Sequence, residues 1–174
     1  MLILLLVLVL LVAFVFYVNM QPGEFNYSRK TMIKSPAERI FSQINDFHNW
    51  KNWSPWANID PSMKLDITGT PKGVGAVYHW SGNNKAGEGT MKLVENSEPN
   101  MVKVDIQFIK PFAANNVTVF SLTPSTNGET EVVWGMSGKR PFIIKMMGVF
   151  VDMENLIGKD FENGLSALKK VSEI

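Results

Sequence analysis

Only two side chains of this chain titrate near neutrality without help, so His48 and His79 are the first places to look for acid/base chemistry. His79 alternates with Tyr78 and Trp80, which puts its imidazole on the opposite, solvated face of a strand. His48 stands beside a tryptophan cluster at the mouth of any cavity, where a hydrogen-bonded loop residue accounts for it. Glu88, between Gly87 and Gly89, would reach a ligand only if its strand bulges, and a solvated carboxylate is the simpler reading. Asp46 and Asp60 read as helix-end and turn residues, not as a working carboxylate pair. No residue is therefore assigned a catalytic role.

Other chemistries are removed by composition. With no cysteine, disulfides, thiolate metal sites and a thiol nucleophile are excluded. His, Asp and Glu form no cluster with metal spacing, and Gly73-Val74-Gly75 lacks the third glycine of a dinucleotide loop, so neither metal nor cofactor is expected. Seventeen basic and 16 acidic residues nearly cancel and are scattered, which leaves no footprint for nucleic acid. Asn26-Tyr27-Ser28, Asn52-Trp53-Ser54 and Asn116-Val117-Thr118 match a glycosylation acceptor, a pattern too common by chance to carry weight.

The elements that hold these residues follow from hydrophobic period. Glu24 to Lys34 alternates loosely as a first strand, and Ser35-Pro36-Ala37-Glu38 is a helix start, with Ser35 as cap and Glu38 completing a capping box. Ile40, Phe41, Ile44 and Phe47 form one apolar stripe, and that short helix yields near Asp46. Beyond Pro61 the period becomes two. Met63, Leu65 and Ile67, then Ala76, Tyr78 and Trp80, then Met91 and Leu93, then Val102, Val104, Ile106 and Phe108 each point to one side. Phe120 and Leu122, with Val132, Trp134 and Met136, continue this face across a turn at Asn127-Gly128, and the short connections imply an antiparallel meander. One long amphipathic helix from about Ile143 to Lys170 should cross the inward face, with Gly148, Gly158 and Gly164 marking a bend, a close approach or room for a guest.

Before all this, Met1 to Val18 is an uncharged, almost wholly aliphatic run of bilayer-spanning length. Its exit, Tyr17-Val18-Asn19-Met20-Gln21-Pro22, offers no small-x-small cleavage step, so an uncleaved single-pass membrane anchor over residues 1–20 is expected; a cleaved signal and a buried core helix are the alternatives. Residues 21–174 are then one soluble domain, and Arg29, Lys30 and Lys34 after the span place it on the cytoplasmic side.

Ser35-Pro36-Ala37-Glu38-Arg39-Ile40-Phe41, the Asn49-to-Trp56 tryptophan segment with Asp60-Pro61, Gly73-Val74-Gly75-Ala76, and Leu156 to Leu165 together resemble the START-like superfamily, and within it the polyketide cyclase/dehydrase and lipid-transport type. The resemblance runs from Phe25 to the C-terminus. It implies an α+β helix-grip fold: a curved antiparallel sheet of about seven strands wrapped on a long C-terminal helix, with two short helices after the first strand. It also implies a cavity between sheet and helix, for which the candidate ligand-binding residues are Trp50, Trp56, Tyr78, Trp80, Met91, Phe108, Trp134, Met136, Met147 and Phe150. The same side chains also read as ordinary core. The leading functional expectation is a membrane-anchored domain that binds a lipid or another hydrophobic small molecule. The alternative is a cyclase, dehydratase or hydrolase acting on an apolar substrate in the same cavity. A partner-binding module would need an apolar outer face, against which Lys103, Asp105 and Gln107 argue.

Overall fold

The computed structural model describes residues 1–174. Helix α1 (Leu2–Met20) precedes strand β1 (Glu24–Ile33), helix α2 (Ala37–Ile44) and a 3-10 helix over Phe47–Asn52. Six strands follow: β2 (Lys64–Gly69), β3 (Ala76–Ser81), β4 (Glu88–Ser97), β5 (Met101–Lys110), β6 (Ala114–Pro124) and β7 (Thr130–Lys139). Helices α3 (Phe142–Gly148) and α4 (Met153–Ser172) close the chain. All seven strands form one antiparallel sheet in the order β1-β7-β6-β5-β4-β3-β2, so the meander expected from the turn residues is present and β1 is added beside β7.

The grip comes from where the helices lie. Helix α4 runs along β1 and touches β7, α2 covers β5 and β6 at the end of the sheet remote from α1, and the 3-10 helix packs against β3. Alternation then decides burial: Val102, Val104, Phe120, Leu122, Val132 and Trp134 are buried, and Lys103, Asp105 and Ser121 face away. Edge strand β2 departs from its pattern. Leu65 is 47% exposed although it points inward, because no helix reaches that far across the sheet.

Three local expectations need correction. Ser35 does not cap α2: Pro36 occupies the cap position, no side chain closes it, and the Ser35 hydroxyl is buried without a partner. The Ser35 carbonyl instead accepts a 2.8 Å bond from the Thr130 hydroxyl, which pins the strand-to-helix corner to β7. The long C-terminal helix is two helices, broken over 149–152 after Gly148, and Asp152 restarts it by accepting from the Asn155 amide at 3.0 Å. At Gly158 and Gly164 the close approach holds and room for a guest does not, because the protein's own side chains fill it. A Cβ at Gly158 would lie 2.1 Å from the Arg29 guanidinium, and one at Gly164 would lie 2.5 Å from the Trp134 ring.

Helix α1 has a mean hydropathy of 3.0 and is long and apolar enough to cross a bilayer. Length and composition fit a membrane anchor or a signal sequence alike.

Candidate functional site

The inward face divides into a closed half and an open half. In the closed half Trp134 stacks on Phe161 of α4 with ring centroids 4.5 Å apart and meets Phe120 at 4.9 Å. Trp53 meets Trp134 edge-on, and Trp50 packs against Trp53 and Phe47. Each such pair adds about 1 kcal/mol beyond the area it buries. Every indole N–H here finds an acceptor: Trp50 donates to the Ile44 carbonyl at 2.9 Å, Trp53 to Gln43 at 3.1 Å, and Trp134 to the Thr118 hydroxyl at 2.9 Å. Of the ten candidate residues, Trp50, Trp134 and Met136 are buried in this half, and Trp56 lies at its margin against Trp134 and Phe161.

Toward the end of the sheet where α1 enters, the same face stays half-open. Tyr78, Trp80, Met91, Ile106 and Phe108 point inward and are only partly covered. Trp80 and Phe108 meet edge-on at 5.7 Å, and the Trp80 N–H donates to the Ala86 carbonyl at 3.0 Å. Gly89 makes this shelf possible, because a Cβ there would stand 2.3 Å from the Trp80 ring. Burial pushes the Tyr78 phenol above its ordinary value. Met147 is half-buried on α3, whereas Phe150, in the break after it, is 76% exposed.

Polar groups on this face escaped the alternation reading. Asn116 points inward between Ile106 and Gly138, is 9% exposed, and has a side-chain oxygen with no partner; its only signal in the sequence was a glycosylation tripeptide that burial makes irrelevant. Arg29 also points inward and is held by Glu162 at 2.9 Å across α4. Arg140 donates to the Tyr27 hydroxyl at 2.5 Å and lies over the Tyr27 ring. Tyr27, Arg140, Ile144, Phe150 and Met153 border a cleft of about 450 Å³ at the α3–α4 break, beside α1.

The early acid/base candidates lie elsewhere. His79 is on the outer face and bonds Thr90 at 3.0 Å, in a shallow depression of about 210 Å³ that also includes Asp66 and Glu88. The β4 strand does bulge at Glu88, but the carboxylate turns to Lys110 at 2.6 Å. His48 is exposed and paired with Asp46, whose carboxylate caps the 3-10 helix. Asp60 is a turn residue: its carboxylate accepts from the Ser62 hydroxyl, the Asn83 amide and the Ser62 amide, and these bonds hold it below the ordinary carboxylate range. No group of three or more His, Asp or Glu side chains is arranged to hold a metal.

A seven-stranded antiparallel sheet gripping a C-terminal helix, with two short helices after the first strand, is the START-like helix-grip architecture. The chain belongs to the polyketide cyclase/dehydrase and lipid transport family, which it matches over residues 24–173. Solved structures share the fold at low identity. A Chromobacterium violaceum protein is 14% identical, with 88% of this chain and 99% of that one covered and a TM-score of 0.59. The Aha1 dimer from Colwellia psychrerythraea is 20% identical, with 86% and 97% covered and a TM-score of 0.59. A Staphylococcus aureus protein of unknown function is 11% identical, with 88% and 96% covered and a TM-score of 0.64. No curated protein matches the sequence.

Proposed function

We propose that this chain is a membrane-anchored carrier whose domain over residues 21–174 holds a lipid or another hydrophobic small molecule against the half-open inner face. The observation that carries the reading is the shelf of Tyr78, Trp80, Met91, Ile106 and Phe108, inward-facing side chains that the helices leave only partly covered, with Tyr78 at its edge against Phe47. Aromatic rings offer large apolar area at little entropic cost, and methionine adapts to guests of different shape. In this reading Trp50, Trp134 and Met136 back the shelf from the closed half, Trp56 and Met147 flank it, and Phe150 forms its rim. Asn116 supplies a buried acceptor for a guest's hydroxyl or amide N–H, since an unpartnered buried oxygen costs about 1–3 kcal/mol that a ligand donor would recover.

An enzyme at this face is the weaker reading, because the charged groups on the inner face are already engaged: Arg29 by Glu162 and Arg140 by Tyr27. Catalysis would need ionisable groups converging on the shelf. Helix α1 is read as an uncleaved anchor because Val18 is fully buried near its end and Lys145 of α3 donates to the Asn19 carbonyl at 3.2 Å. These contacts tie it into the fold. Arg29, Lys30 and Lys34 after the span favour the cytoplasmic side.

Native mass spectrometry of residues 21–174, purified from a lipid-containing host, tests the reading. A stoichiometric apolar adduct that is lost in folded Trp80→Ala and Phe108→Ala variants supports it. A domain that is empty and unshifted in thermal stability by a broad lipid panel rejects it.

A further inference from the structure

We propose that α3 and residues 149–151 of the break form a wedge that sits within the bilayer surface beside α1, so that the domain is seated on lipid and does not hang from a tether. The inference rests on reading α1 as an anchor. Helix α1 is in contact with α3, and the rings of Phe14 and Phe150 lie 6.1 Å apart. Phe14 is five residues before Asn19, at which the apolar run ends, so at ~1.5 Å per residue it lies about 7 Å inside the span. Phe150, one ring contact away, is carried to a similar level, near the roughly 5–10 Å to which interfacial apolar faces sink.

The surroundings fit a lipid surface. Phe150, Val151 and Phe142 are 76%, 42% and 43% exposed, a cost in water that acyl chains remove. Strand register puts the β5–β6 hairpin at the same end of the sheet, with Phe112 40% exposed at its tip. Lys139, Arg140 and Lys145 stand at the same end, where anionic headgroups would attract them. The cleft at the break, bordered by Phe150 and Val151, would then open at the level of the bilayer.

The chain has no cysteine, so single-site labelling is clean. Full-length Leu10→Cys, Phe150→Cys, Val151→Cys and Asn127→Cys proteins, checked by thermal melts, would be spin-labelled in nanodiscs of phosphatidylcholine and phosphatidylglycerol. Collision rates with oxygen and with a water-soluble nickel chelate would then be compared. The wedge predicts that labels at 150 or 151 meet the chelate several-fold less than the label at 127, in the turn at the far end of the sheet. Water-like labels at both 150 and 151, with the label at 10 in lipid, overturn the wedge and leave the anchor standing. A water-like label at 10 as well overturns both.

Discussion

The two halves of the inner face use the same kinds of residue to opposite ends. At the far end Trp50, Trp53, Phe120, Trp134 and Phe161 interlock, each indole N–H satisfied and each ring covered by a helix. At the other end Trp80 and Phe108 stand on equivalent inward positions beyond the reach of α4, which lies along β1, and of α2, which reaches only β5 and β6, while Tyr78 marks the boundary, with its ring 5.6 Å from Phe47 of the 3-10 helix. Residue type and strand parity are alike in the two regions. What separates core from candidate binding surface is the path of the helices.

The comparison breaks most visibly at Trp134. Trp134→Ala should destabilise the domain by about 3–5 kcal/mol, since it empties a closed, stacked site. Urea unfolding checks this, and a loss near that of a surface substitution would mean the closed half is not closed. Gly164→Val should cost about 1–3 kcal/mol by driving a side chain into the Trp134 ring, and the double variant with Trp134→Ala should recover part of that loss. Trp80→Ala should cost less than Trp134→Ala, about 2 kcal/mol or under, while removing most of the lipid adduct.

Much of this fold was legible from period alone. The turn glycines, the two-residue alternation and the tryptophan segment mark out the strands and the short helices, and parity assigned the inward faces of β3 to β7 correctly. Gly148 marked a bend where the C-terminal break falls, but a full interruption was not legible, because Met146, Phe150 and Met153 keep helical spacing through it; tertiary contact with α1 competes with the periodic signal there. Burial was legible only as direction. Nothing in the spacing tells Trp134 from Trp80, since that depends on where α4 crosses. Asn116 and Arg29 were missed because they are polar residues on loosely alternating strands, and only cross-strand register shows that they point inward.

The smallest effect sharpens the β3–β4 hairpin beside the shelf. Asp60, depressed by its Ser62 and Asn83 bonds, ties the turn before β2 to that hairpin. Its stabilisation should be complete above its ordinary pKa of 3.8 and fade as pH falls through the lowered folded value. The thermal-stability gap between wild type and Asp60→Asn should therefore hold from neutral pH down to about pH 4 and close below it. A gap that widens in acid would contradict the assignment.

The division itself is tested most directly by methionine methyl NMR on residues 21–174, titrated with a short-chain phosphatidylcholine below its micelle concentration. Met91 lies on the shelf, Met147 is its proposed flank, and Met32 lies on the outer face of β1 at the far end. The account predicts saturable shifts at Met91 and Met147 while Met32 stays still. Shifts confined to Met32, or none at Met91 and Met147 at saturating lipid, would contradict it.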